Sequence, residues 1–213
     1  MQPTETSTPS LRILFFVATL DDRARLHLDR EVRAIKARIR ESEYRDCIQL
    51  IDRWAVQPSD LQQALLQHQP HIVHFSGYGG PSGILLQGMD GSSRHVSYGA
   101  IARMLKTLKD NIRVVVFNTC FSHPQAHAMA EHIDFTIGMN VEMRTDMEIL
   151  FSAAFYMALG HGRSVLTAYQ VGITELALYG VADQTHPLLL SRKGADASAT
   201  FGLRLCRHLT CQE

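Results

Sequence analysis

No apolar run in this sequence approaches the ~18 residues that a membrane-spanning helix needs, so no membrane partner is predicted. The N-terminus has no charged segment followed by an apolar one, so we do not expect an export signal. The 21 basic residues balance the 21 acidic residues, and this zero net charge argues against nucleic acid as a partner. The sequence also has no internal repeat.

Cysteines are few, at positions 47, 120, 206 and 211, and their spacing matches neither a disulfide framework nor a Cys-x-x-Cys motif. We therefore expect reduced thiols, a packing role for Cys47 and a cytoplasmic protein. Cys206, His208 and Cys211 lie close together in the sequence, but a zinc site needs more than one such cluster. No metal and no cofactor are predicted.

The length and composition predict one domain. A chain of 213 residues can build one substantial core, and 46% hydrophobic and 20% charged residues are ordinary values for a globular protein. Residues 1–10 are polar and rich in Thr, Ser and Pro, so we expect them to be disordered. We assign residues 11–190 to the domain and residues 191–213 to a C-terminal tail.

Short apolar runs alternate with amphipathic segments along the chain, which predicts an α/β fold with a mostly parallel sheet. Strands are predicted at residues 11–18, 47–51, 72–75, 112–117, 134–139 and 187–190. Helices are predicted at residues 23–44, 59–69, 123–132, 145–160 and 163–179, with a further helix after Ser97. The helix over residues 23–44 buries one apolar stripe, and the charged residues over 23–45, eight basic and four acidic, are assigned to its outer face. A solvated face is the favoured interpretation, and a surface for nucleic acid or a protein partner is the alternative.

Local signals predict where several elements begin. Ser59 with Gln62, and Thr145 with Glu148, have the spacing of a capping box at a helix start. Asp90-Gly91 between two short apolar segments predicts a hairpin turn.

Cys120 is the first candidate functional residue. It lies three residues beyond the buried strand predicted at 112–117, and ligands and catalytic groups gather at the carboxyl ends of such strands. A buried packing cysteine is the alternative from position alone.

A glycine-rich turn follows the strand predicted at 72–75. Gly77, Gly79 and Gly80 allow a sharp turn and a close approach of the backbone to another group. If this strand neighbours the one before Cys120, Tyr78 and Cys120 project into one crevice. Anion binding by the turn is an alternative, but no lysine followed by Ser or Thr stands at P-loop spacing.

The two motifs together resemble a known family. The order of His-Phe-Ser-Gly-Tyr-Gly at 74–79 and Asn-Thr-Cys-Phe-Ser at 118–122 is similar to the CHAT branch of the caspase-like (clan CD) cysteine peptidases. Ile-Gly-Met at 137–139 and Ala-Phe-Tyr-x-Ala-Leu-Gly-x-Gly-x-Ser-Val at 154–165 extend the resemblance over about residues 10–190. The resemblance implies a three-layer sandwich of about six mostly parallel strands with helices on both faces, and a setting in bacterial defence.

The resemblance also implies roles for individual residues. Cys120 stands at the nucleophile position, and Tyr78 stands where the family has its catalytic histidine. Backbone N–H groups at Gly79 or Cys120 would form the oxyanion hole, and His74 would support the site. Asp146 matches an acidic position near a pocket for a basic side chain, although an acidic residue in the first turn of a helix is equally expected.

Tyrosine at position 78 predicts an impaired enzyme. A phenol titrates near pH ~10, so it is a poor base and a poor acid at neutral pH. The sequence therefore predicts a pseudo-protease that binds a protein or peptide partner. An active cysteine endopeptidase is the alternative, with His123, His74 or His127 as a surrogate base or with a partner that completes the site.

Overall fold

A computed structural model of the chain describes residues 11–19, 22–80, 82–119, 122–139, 144–181 and 187–201. Its main feature is a six-stranded sheet in which five strands run parallel and one edge strand runs antiparallel. This confirms the predicted α/β fold with a mostly parallel sheet.

The strands fall into a main sheet and a small antiparallel sheet. In chain order they are β1 (Leu11–Ala18), β2 (Ile48–Arg53), β3 (Ile72–Gly77), β4 (Gly79–Gly80), β5 (Gly83–Gln87), β6 (Ser93–Ser97), β7 (Val114–Asn118), β8 (Phe135–Gly138) and β9 (Leu188–Ser191). The main sheet has the spatial order β2-β1-β3-β7-β8-β9, and the small sheet has the order β4-β5-β6. The predicted neighbours β3 and β7 are adjacent and parallel, which is confirmed.

Six helices cover the main sheet. They are α1 (Asp22–Arg40), α2 (Pro58–His68), α3 (Tyr98–Thr107), α4 (His123–Met129), α5 (Thr145–Gly160) and α6 (Val165–Leu178). Helices α1, α5 and α6 pack on one face, and α2, α3 and α4 pack on the other.

The alternation of side chains along β1 explains why a continuous apolar run forms the centre of the fold. Ile13 and Phe15 point to the core under α1, α5 and α6, whereas Leu14 and Phe16 point to the core under the other three helices. All four side chains are fully buried. A strand that is buried on both faces has no polar face to show, so its sequence is apolar throughout.

Two predicted N-caps are wrong, although the predicted bounds of the helix at 145–160 are confirmed. Helix α2 begins at Pro58, and the capping box is formed by Gln57 and Asp60 rather than by Ser59 and Gln62. Proline suits the first helical position because its missing N–H has no helical partner there anyway, so the cap falls one residue before it. Helix α5 is preceded by Arg144 as N-cap, and Thr145 is its first helical residue.

The cap of α3 and the hairpin turn are confirmed, whereas α1 is shorter than predicted. The Ser97 side chain accepts a hydrogen bond from Ala100 N at 3.3 Å and caps α3. Strands β5 and β6 form the hairpin around Asp90-Gly91, with Gly91 at a positive φ of 80°. Helix α1 ends at Arg40, four residues earlier than predicted.

Cys47 is buried as predicted, in contact with Tyr44, but it is not the reduced thiol that was expected. It lies in a short 3-10 turn before β2, is buried, and forms a disulfide. The other three cysteines lie outside the described residues. The expectation of a reducing, cytoplasmic compartment rested on reduced thiols, and the disulfide takes this reason away.

Two expected absences can be examined only for the described residues. No helix among them is long and apolar enough to cross a membrane. The same residues bring together no group of three or more metal-ligating side chains.

Candidate functional site

The candidate site forms where β3 and β7 end side by side. Ser76 and Asn118 are paired in register, so the residues that follow them leave the sheet together at its carboxyl edge. Tyr78 follows Ser76 by two residues, and Cys120 follows Asn118 by two. Cys120 itself lies outside the described residues, so its approach to Tyr78 stays a prediction.

Tyr78 is held by its backbone and presents its side chain outward. Its N–H donates to Ala18 O at 3.0 Å, and its carbonyl accepts from Leu85 N at 3.0 Å. These bonds fix the residue between the end of β1 and β5. The side chain is 50% exposed, so position 78 is available to a ligand.

Gly77 can only be glycine in this backbone. Its φ is 135°, and a Cβ atom there would lie 2.1 Å from the carbonyl oxygen of Ala18. The close passage of the turn over the end of β1 therefore depends on the missing side chain.

Gly79 brings the two motifs into contact. A Cβ atom at Gly79 would lie 2.9 Å from Thr119 Cβ and 3.1 Å from Tyr98 Oη. The Tyr98 and Thr119 hydroxyls are hydrogen-bonded to each other at 3.2 Å. Because Thr119 immediately precedes Cys120, the glycine turn packs directly against the segment that carries the predicted nucleophile.

A buried polar cluster lies beneath the two strand ends. Its centre is the Glu31 carboxylate on α1, which is only 2% exposed. Ser76 Oγ donates to it at 2.5 Å, Asn118 Nδ2 at 2.7 Å and Ser152 Oγ at 2.8 Å. Burial raises the pKa of Glu31, although the three hydrogen bonds act in the opposite direction.

His74 belongs to this cluster and is fully buried. Its Nδ1 is hydrogen-bonded to Tyr156 Oη at 3.0 Å, and its Nε2 lies 3.5 Å from Glu31 Oε1. The ring stacks on Phe15 with the centroids 4.2 Å apart. Burial lowers the pKa of His74 to about 3, so this imidazole is too weak a base to take a proton from a thiol. The arrangement favours the supporting role.

Asp146 forms a local ion pair in the first turn of α5. Both of its carboxylate oxygens accept hydrogen bonds from Arg144, at 3.1 and 2.7 Å. These bonds lower the pKa of Asp146. The carboxylate is therefore paired with a neighbour on the surface, as expected for an acidic residue in the first turn of a helix.

His123 opens helix α4, but its side chain lies outside what the structure describes. The adjacent Ser122 is buried and links the β7 exit to β8. Its hydroxyl donates to Phe117 O at 3.1 Å and accepts from Met139 N at 2.9 Å. These bonds anchor the chain on the far side of Cys120.

Glu31 is the residue that the sequence interpretation placed wrongly. It was assigned to the outer charged face of the first helix, yet it faces the interior. The available signal was its spacing, because Glu31 lies three residues after Leu28 and four before Ile35, within the apolar stripe. A charged residue in such a stripe indicates a buried polar partner.

The described geometry can orient two chain segments, but neither Tyr78 nor His74 is a good base. Tyr78 offers a phenol, and His74 is buried against Tyr156. Cys120 stands two residues after the end of β7 and three residues before α4 in the sequence. The dipole of a helix favours an anion at its N-terminal end, which suits a thiolate.

The comparisons with known proteins identify the fold. No family model matches the sequence, and no curated protein matches it. Solved structures do match. A secreted C11 cysteine protease from Bacteroides thetaiotaomicron, in complex with an irreversible peptide inhibitor, has a TM-score of 0.61 at 11% identity, covering 86% of this chain and 67% of that chain.

Two further structures give the same result. An inactive zymogen C11 protease from Parabacteroides distasonis has a TM-score of 0.54 at 12% identity, covering 79% of this chain and 59% of that chain. Caspase-1 from Spodoptera frugiperda has a TM-score of 0.54 at 10% identity, covering 86% of each chain. At these identities the likeness shows the fold alone, and the chain has the caspase-like fold of the clan CD cysteine proteases.

Proposed function

We propose that this caspase-like domain is of the CHAT type and serves a bacterial defence system as a pseudo-protease. It would bind a protein or peptide partner in the crevice between position 78 and Cys120. The observation that carries the proposal is Tyr78, which stands half-exposed on a rigid turn at the base position of the family motif.

The chemistry of a cysteine protease supports this proposal. Peptide hydrolysis needs a base that takes the thiol proton and later returns it to the leaving amine. A phenol is a poor group for both transfers at neutral pH. Loss of the base from a coupled nucleophile–base pair lowers turnover by roughly 10⁴ to 10⁶.

His74, in the same motif as Tyr78, does not restore the base. It is fully buried, and its Nδ1 is hydrogen-bonded to Tyr156. With a pKa of about 3, it would accept a proton from a thiol only at a large cost in free energy. This leaves His123, His127 on α4, or a residue from a partner, for the enzyme alternative.

A peptide library distinguishes binding from cleavage. The chain is incubated with a mixed library that includes arginyl peptides, and the captured and cleaved peptides are identified by mass spectrometry. The matched control is Cys120→Ala, which keeps the fold and removes the thiol. We expect both chains to capture the same peptides and to leave them intact. Cleavage by the native chain that is lost in Cys120→Ala would overturn the proposal and establish an active peptidase.

A further inference from the structure

One buried carboxylate bonds to both strands that lead into the candidate site. Glu31 reaches from α1 to Ser76 at the end of β3 and to Asn118 at the end of β7. Each of these residues lies two positions before a predicted site residue. A shift of the carboxylate would therefore act on residues only two positions before Tyr78 and Cys120 in the chain.

The same carboxylate is tied to a second helix. Ser152 on α5 donates to Glu31 Oε1, the oxygen that also accepts from Asn118. Glu31 thus receives hydrogen bonds from β3, β7 and α5 while it projects from α1. A group with four elements around it has little freedom to move.

Such a group is costly to bury. A carboxyl group loses its hydration on burial, and apolar side chains of similar volume often stabilise a core as well or better. Aliphatic side chains occupy nearby buried positions of the same helix, namely Val32 and Ile35. Stability alone does not require a carboxylate at position 31.

We propose that Glu31 is a positioning residue, whose carboxylate aligns the turn at position 78 with the segment that carries Cys120. This inference rests on the proposed function, which makes those two positions a former base and a nucleophile. The geometry of the pair would then depend on three hydrogen bonds that one helix residue accepts.

Replacing Tyr78 with histidine provides a reporter of this alignment. A free thiol with a pKa near ~8.5 is about 1% thiolate at pH 6.5, and an adjacent imidazole that lowers the pKa to ~6.5 would make it about half thiolate. The roughly 50-fold gain in thiolate is offset by an about 8-fold loss of nucleophilicity, which leaves a gain of about sixfold in alkylation rate.

The experiment measures the iodoacetamide labelling rate of Cys120 against pH in the full chain, with the labelled peptide identified by mass spectrometry. Tyr78→His is compared alone and combined with Glu31→Ala, Glu31→Gln or Ile35→Ala. Ile35→Ala is the matched control, because it truncates a fully buried side chain one turn further along α1 that makes no hydrogen bond to the polar cluster.

The proposal predicts a different result for each variant. Glu31→Ala should abolish the sixfold gain and return the apparent thiol pKa to that of the native chain. Glu31→Gln should keep most of the gain, because its carbonyl can accept from Asn118 and Ser152 and its amide can donate to Ser76 Oγ. Ile35→Ala should keep the gain even if it lowers stability more.

A milder variant covers the case in which Glu31→Ala does not fold. Ser76→Ala removes only the bond to β3 and leaves the carboxylate bonded to Asn118 and Ser152, and it should lose at least half of the gain. If Glu31→Ala, or Ser76→Ala in its place, keeps the full gain, the inference is wrong and the proposed site stands. If Tyr78→His itself gives no gain, the proposed arrangement of positions 78 and 120 fails, and the inference fails with it.

Discussion

Gly79→Ala tests whether the two sequence motifs meet in the folded protein. The added methyl carbon would lie 2.9 Å from Thr119 Cβ, 3.0 Å from Thr119 Oγ1 and 3.1 Å from Tyr98 Oη. Non-bonded carbon atoms prefer about 3.5–4.0 Å, so the neighbours would have to move by roughly half an ångström. Thr119 and Tyr98 are 1% and 5% exposed, which leaves them little room. Overpacking of this kind costs about 1–3 kcal/mol.

Gly80→Ala is the matched control, since no atom lies within 4 Å of a Cβ built at that position. Its effect on the free energy of unfolding should stay within about 0.5 kcal/mol. Urea denaturation of both variants measures the difference, provided that the slope with denaturant stays the same. Equal stability of the two variants would refute the contact between the glycine turn and the segment before Cys120.

Two further predictions concern stability and pH. Partial burial raises the pKa of Asp134, but hydrogen bonds from Arg192 and Arg113 outweigh this effect, so the pKa is lowered overall. The ion pairs therefore stabilise the folded chain at neutral pH, and this contribution is lost as the pH falls below ~4. Asp134→Asn should therefore reduce the fall in the free energy of unfolding below pH ~4. The same fall in both chains would show that the ion pairs of Asp134 do not contribute to stability. Burial lowers the pKa of His74 to about 3. Below pH ~6.5 the unfolded chain therefore binds a proton that the folded chain does not, and the free energy of unfolding falls by about 1.4 kcal/mol per pH unit. His74→Gln should remove this slope in urea titrations between pH 6.5 and 4.5, and the same slope in both chains would contradict a buried neutral imidazole.

The strands of the main sheet could be predicted because burial leaves a clear pattern. Val114–Asn118 and Leu11–Ala18 are covered on both faces, so their apolar runs are continuous and their ends are marked by polar residues. The parallel order followed from the alternation of strands with helices. The topology that brings β3 beside β7 then placed the two motifs at one edge.

The helix starts were harder to predict because several polar residues compete for the cap. The start of α2 offers two polar candidates, Gln57 and Ser59, on either side of Pro58. Gln57 is the N-cap because proline fits the first helical position, directly after the cap. Neighbouring polar residues differ little in the free energy that they contribute as N-cap, so sequence spacing alone does not decide between them.

The buried cluster around Glu31 could not be predicted from local patterns. Its members lie up to 121 residues apart in the sequence, from Glu31 to Ser152. Each hydroxyl or amide looked like an ordinary strand or helix residue until the fold brought it to the carboxylate. The spacing of Glu31 within the apolar stripe of α1 was the one local sign.

The distance between the side chains of Tyr78 and Cys120 tests the central claim most directly. A crystal structure that resolves both residues, in the native chain and without a ligand, measures it. We predict that Tyr78 Oη and Cys120 Sγ open into one crevice and lie within about 10 Å, a separation that a bound peptide group can bridge with hydrogen bonds on both sides. A longer distance, or side chains on opposite faces of the sheet, would contradict the assignment of Tyr78 to the base position.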